Sequence, residues 1–218
     1  MPRVSYQTGP APLPNAHPLD YWLSTELSAI SPSSARSRLR EIADARGSYM
    51  GAWAAGIGMG AVLVLLGVLL AVRFDTLVPL PSLSLPGAAL SVLCCVFYGR
   101  VRDRLPNTDR VLINRGPGRL RGALSFVAFI LITFLALIVL TAKPSTWQDP
   151  ATLLMLGAVL AFLICLLVAA IIVPATIIGR SRESLRNKAA NDPRFRSLLE
   201  QDLATWRDPH GNAGYGPL

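Results

Sequence analysis

Hydrophobic and polar positions fall along this chain in long blocks. No Asp, Glu, Lys, Arg or His occurs in Gly47–Val72, Thr76–Gly99, Gly122–Ala142 or Pro150–Gly179. About 20 apolar residues in helical form cross a hydrocarbon layer of roughly 30 Å. A helix satisfies every backbone polar group within itself, which lipid requires. The blocks therefore predict an all-α integral membrane protein with spans at about 49–72, 84–98, 122–142 and 151–179. Pro79, Pro81 and Pro86 crowd the start of the second span. Proline suits a first helical turn or non-helical chain, so LVPLPSLSLP is expected to lie extended in the interface before that helix. The fourth block is too long for a perpendicular crossing, and Pro174 should kink it or let its last turn leave the membrane plane. Asp149-Pro150 reads as an N-cap followed by a first-turn proline.

Outside these blocks the period is helical and one-sided. Leu19, Trp22, Leu23, Leu27 and Ile30 share a face, and Phe195, Leu198, Leu199, Leu203 and Trp206 repeat the same offsets. The second set follows Asp192-Pro193, predicting an amphipathic helix over 193–207. Its apolar residues, with those of the first set, are candidates for docking on lipid, on a partner or on each other: Trp22, Leu23, Leu27, Phe195, Leu199 and Trp206. The Pro-rich start is expected to be extended or disordered, and the final HGNAGYGPL disordered. The organisation expected is a tail at 1–48, a four-helix membrane domain at 49–179 and a second tail at 180–218.

Charge orients this arrangement. Only 16% of residues are charged, and the net charge is +8. The segments 1–48, 100–121 and 180–218 carry five, seven and seven of the 21 Lys and Arg. The two other loops hold only Arg73 and Lys143. An excess of Lys and Arg marks cytoplasmic loops, so both termini and the 100–121 loop are expected in the cytoplasm of a cell bounded by this inner or plasma membrane. The arginines of that loop (Arg100, Arg102, Arg104, Arg110, Arg115, Arg119 and Arg121) are topology signals first. Their second reading is contact with anionic phospholipids, each basic residue near such a leaflet contributing about 1 kcal/mol, or with an acidic partner.

Three spans carry small residues at four-residue spacing: Ala52, Gly56 and Gly60; Gly87, Ser91, Cys95 and Gly99; Gly157, Ala161, Cys165 and Ala169. Small side chains let helices approach closely in lipid. These residues are the candidate packing or partner-docking seams. The bulky third span should face lipid or a partner.

Several chemistries are disfavoured. Intramembrane charges, the usual mark of proton or ion pathways, are missing from the blocks, and both histidines (His17 and His210) lie in the tails. Cys94, Cys95 and Cys165 lack metal-ligand spacing. RGPGRLRG lacks the Gly-Lys-Ser/Thr of a phosphate loop, and the basic loop has no aromatic for stacking nucleic acid. The first 48 residues hold no apolar core of signal-peptide type. No catalytic residue, cofactor or metal is expected, and no nucleic acid. The leading expectation is a non-catalytic accessory subunit bound to other membrane protein subunits. A lipid- or small-molecule-handling transporter component acting as a homo-oligomer is the alternative.

Nineteen of the basic residues are arginine, which suggests a GC-rich, actinobacterial-type coding bias. In size, span number, arginine bias and lack of redox ligands the chain resembles the small four-span accessory subunits of actinobacterial respiratory (cytochrome bc–cytochrome oxidase) supercomplexes. The resemblance implies a subunit of the respiratory chain that carries no haem.

Overall fold

A computed structural model of the chain describes residues 17–32, 37–106, 120–142, 147–207 and 214–218. In chain order the α-helices are α1 (Leu19–Leu23), α2 (Thr25–Ile30), α3 (Arg38–Phe74), α4 (Leu85–Arg102), α5 (Leu120–Thr141), α6 (Pro150–Leu167), α7 (Val173–Gly179), α8 (Ser181–Asn191) and α9 (Pro193–Thr205). Four continuous helical stretches are long and apolar enough to cross a membrane: Arg38–Phe74, Leu80–Arg102, Leu120–Thr141 and Pro150–Gly179. They are called the first to fourth spans below. The chain divides into two compact units, one of residues 42–185 and one of residues 1–41 with 186–218.

In the larger unit the prolines are accommodated by widened turns. Leu80–Ser84 is a π turn running straight into α4, with Pro79 at its N-cap. The expected extended LVPLPSLSLP stretch is therefore wound into helix from Leu80. Pro86 can donate no N–H, and the π turn ahead of it, closed by Leu85 N–H on Leu80 O, relieves the helix of that missing bond. The same device recurs in the fourth span. Val168–Ile172 is a π turn immediately before Pro174, linking α6 to α7. Asp149 caps α6 as its Asp-Pro signature predicts, accepting from the N–H groups of Ala151 and Thr152 at 3.2 Å each. α3 ends where Asp75 adopts the left-handed conformation (φ 48°), which short polar residues tolerate better than most. At 37 residues α3 is about 55 Å long. Its first turns, rich in Arg, Glu and Asp, therefore extend beyond any hydrocarbon layer it crosses.

The third span makes its own polar accommodation. Ser125, Thr133 and Thr141 each donate to the carbonyl four residues earlier, at 3.0, 2.8 and 2.7 Å. It buries Ala123 and Val127 near its start and exposes Phe129, Ile132, Leu137 and Leu140 beyond.

The smaller unit is made of the two ends of the chain. The one-sided pattern from Leu19 to Ile30 is broken at Ser24, whose extended backbone separates α1 from α2 and whose hydroxyl caps Leu27 N–H. Leu19, Leu23, Leu39, Phe195, Leu199, Tyr215 and Leu218 form its core. Fully burying such a side chain contributes about 1.5–3 kcal/mol. Polar contacts then fix the register. Ser37 Oγ donates to Pro217 O at 2.7 Å across 180 residues of sequence. Arg38 holds Asp202 bidentately, Nε and Nη2 lying 3.3 and 3.1 Å from the two carboxylate oxygens. Arg196 reaches Asp20 at 2.7 Å, and Arg186 Nε donates to Leu23 O at 2.6 Å. The expected disorder of the chain end is overturned for residues 214–218. Tyr215 is buried, its hydroxyl donating to Leu199 O at 2.9 Å, and Gly216 lies flat on the Trp22 ring, where a Cβ would collide.

Candidate functional site

The first span is the hub of the larger unit because glycines flatten two of its faces. Gly56, Gly60 and Gly67 meet the second span, and Gly47, Gly51 and Gly58 meet the fourth. At about 100° per residue these two sets lie roughly 180° apart on the helix. On the first face backbones touch: a Cβ at Gly87 would lie 2.7 Å from Gly60 O. That approach lets Ser91 Oγ donate to Ile57 O at 3.1 Å and Ser84 Oγ to Val64 O at 3.2 Å. Cys94 packs on Gly56, and Trp53 stacks on Phe97 with centroids 4.8 Å apart. On the second face a Cβ at Gly58 would stand 2.8 Å from Ala169 Cβ, and Gly51 lies against Pro174 and Ile178.

The small-residue rows read from sequence are only partly these seams. Gly56, Gly60, Gly87, Ser91 and Ala169 lie in them. Ala52, Cys95, Ala161 and Cys165 are exposed, and Gly99 and Gly157 have nothing within 4 Å of a built Cβ. The seam of the second span is Ser84, Gly87, Ser91 and Cys94. A strict four-residue row turns about 40° around the helix per step, so by its fourth member it has left the face on which it began. Mixed steps of three and four stay on it.

Two cavities follow the seam between the first and fourth spans. One, of about 560 Å³, is lined by apolar groups, among them Ile57, Gly58, Val62, Ile164 and Cys165. The other, of about 230 Å³, is lined by Arg46, Tyr98, Thr176, Arg180, Ser181 and Ser184 with their neighbours. Tyr98 borders both. Arg46 is 3% exposed and donates through Nη2 to Arg102 O at 3.1 Å, tying the first span to the end of the second. Arg180 is exposed. Beside them, Arg182 approaches Asp44 at 3.8 Å.

The basic loop is only partly described. Arg100 and Arg102 occupy the last turn of α4, exposed, with Arg100 lying 5.5 Å from the Phe97 ring centroid. Arg104 and Arg121 are exposed too. Arg110, Arg115 and Arg119 lie outside the described residues. Of the roles open to the tail residues, packing on each other is the one the structure shows for half of them. Leu23, Phe195 and Leu199 are buried in the smaller unit, against the opposite end of the chain, while Trp22, Leu27 and Trp206 are half-buried. The cause is the matched pair of apolar faces, which cover each other once both tails fold. Sequence reasoning missed Tyr215 and Leu218. Their only signal was two large apolar residues inside a Gly/Pro-rich stretch.

Electrostatics in this unit favour the folded form. The Asp192 carboxyl sits below its ordinary range because the Phe195 N–H donates to it, with Lys188 adding to the effect. Burial pushes the Tyr215 phenol well above its usual range. Among the described residues no group of three or more His, Cys, Asp or Glu could hold a metal ion, and the three cysteines are free. No protein-family model matches the chain, and neither a curated protein nor a solved structure matches it.

Proposed function

We propose that the chain is a non-catalytic accessory or assembly subunit of a larger membrane protein complex, with a respiratory supercomplex as the partner its general character suggests. The observation that carries this reading is how the spans treat their polar groups. Ser84 and Ser91 donate to carbonyls of the first span, and Ser125, Thr133 and Thr141 to carbonyls of their own helix, so these hydroxyls are satisfied within the protein. At most 17% of the most apolar stretch of any span is buried, which leaves wide lateral faces for neighbouring subunits.

In this reading the protein crosses the cell membrane four times with both termini cytoplasmic. Contacts between the two ends of the chain, such as Arg38 with Asp202, support placing both on one side. The distribution of Lys and Arg supports that side being the cytoplasm. Exposed Arg100, Arg102, Arg104 and Arg121 then face anionic head groups or an acidic partner surface. Affinity purification in mild detergent followed by mass spectrometry is expected to recover stoichiometric membrane partners. Recovery as a lone monomer across mild detergents would overturn the reading.

The open apolar cavity along the first and fourth spans favours a second reading, a lipid- or small-molecule-handling homo-oligomer. Cross-linking of the chain to itself, with lipid flux in proteoliposomes, would select that one.

A further inference from the structure

The two cavities on the seam between the first and fourth spans are consecutive parts of one track. On the first span the lining residues Arg46, Met50, Ala54 and Ile57 step by three and four, which keeps them on one face of a helix. Across the seam, Val173 and Cys165 of the fourth span line the apolar part, and Arg180 and Ser184, just past the end of that span, line the other. Along this track the chemistry changes once. The part beside Arg46 and Arg180 is polar and basic, and beyond Tyr98 it is apolar.

The position of that change is informative. Arg46 precedes the charge-free block Gly47–Val72 by one residue, and Arg180 follows the block Pro150–Gly179 by one. Both cations therefore stand where the apolar part of their helix stops, the level of lipid phosphates. Arginine suits phosphate because its planar fork donates two parallel hydrogen bonds to an oxyanion. The hydroxyls of Tyr98, Thr176, Ser181 and Ser184 border the same cavity. Thr176 is engaged with Val173 O at 2.7 Å. Arg46 is held in place by the bond from its Nη2 to Arg102 O, so one of the two cations is fixed in position. Arg102 and Asp103 act on it electrostatically with opposite signs. The polar cavity, at about 230 Å³, has the space of seven or eight waters at roughly 30 Å³ each, enough for a phosphate with its glycerol linker. The apolar cavity of about 560 Å³ falls within the roughly 300–1,000 Å³ typical of ligand sites.

We propose that the two cavities form one binding site for an anionic phospholipid, its phosphate taken by Arg46 and Arg180 and one acyl chain laid along Gly58, Val62, Ile164 and Cys165. The site stands whichever proteins surround the chain. A free phosphate shares the headgroup chemistry but makes no use of the apolar part, and this difference separates the two sources.

The test uses the full chain in mixed micelles with equal amounts of phosphatidylglycerol and phosphatidylcholine, with bound lipid read by native mass spectrometry. Phosphatidylglycerol is expected to be retained about tenfold over phosphatidylcholine, whose phosphate is the same but whose choline cation is repelled by the two arginines. Arg180→Gln, at an exposed position that the fold does not need, should remove most of that preference. Arg194→Gln, which deletes an equal charge on α9, should leave it intact. Cys165→Trp, which fills the apolar part, should lower retention of both lipids. Excess inorganic phosphate should not displace the lipid. Equal retention of the two lipids, equal effects of Arg180→Gln and Arg194→Gln, or full displacement by inorganic phosphate would each overturn the proposal.

Discussion

Replacing Gly60 by Ala tests whether backbone contact holds the first and second spans together. A Cβ there would collide with Gly87 O, Ser91 Oγ and Ser91 N. Two of these three atoms are backbone, so the helices must separate for the methyl to fit. Overpacking of this kind costs about 1–3 kcal/mol. Separation also lengthens the Ser91–Ile57 and Ser84–Val64 hydrogen bonds, each worth about 0.6 kcal/mol in a membrane. Against this, Ala gains at most about 1 kcal/mol over Gly in helix propensity. The net loss is about 1–3 kcal/mol. Gly157→Ala is the control, since nothing lies within 4 Å of a Cβ at that position and only the propensity gain remains. Cys94 is the reporter, being 3% exposed and packed on Gly56 in the same seam. With Cys95 and Cys165 changed to Ser, its alkylation by a maleimide should speed up about 5- to 150-fold in Gly60→Ala. It should be unchanged or slower in Gly157→Ala. Equal protection of Cys94 in the two variants would refute the argument.

The smaller unit yields three further expectations. Phe195→Ala empties a position 1% exposed and should cost about 3–5 kcal/mol, raising protease nicking of the tails at least a hundredfold in otherwise intact protein. Asp202→Ala leaves Arg38, whose side chain is only 18% exposed, without its carboxylate, and should cost about 1–3 kcal/mol, read by the same nicking assay. Tail stability should also fall at both ends of the pH scale. The Asp192 carboxyl is held below its ordinary range, chiefly by Phe195 N–H. Its contribution is therefore present above the usual carboxylate pKa of about 4 and lost as pH falls through the folded value. The Tyr215 phenol is pushed up by burial, so the stability tied to its neutral form is complete below about pH 10 and lost as pH rises further. Nicking rates against pH check both limbs, and removal of the alkaline limb in Tyr215→Phe identifies its source.

The spans were legible because lipid imposes a single requirement, a long run free of charge, that any window on the chain can read. Their packing was less legible. Glycine rows recur on several helix faces, and only the partner decides which are used, so Gly157 and Gly99 read like Gly60 and Gly87. The prolines misled for a related reason: a π turn can absorb a missing N–H, and nothing in PLPSLSLP announces one. In the tails the two apolar faces were visible and their mutual pairing was one of the options, but nothing in the pattern chose it. That pairing depends on contacts such as Ser37 with Pro217, 180 residues apart. Arg46 and Arg180 gave no local sign of sharing a cavity, since their proximity exists only once the first and fourth spans meet.

The interlocking of the chain's two ends also sets a clock. At about 5–20 residues per second, the 180 residues between Ser37 and Pro217 take roughly 9–36 s to synthesise. Until then Ser37 and Leu39 lack the Pro217 and Tyr215 carbonyls that accept from them, although all four spans precede those residues in the chain. The smaller unit can therefore be completed only after all four spans have been synthesised. A factor that recognises its apolar residues would see them only on chains still being made, or on chains in which the two segments of this unit failed to meet.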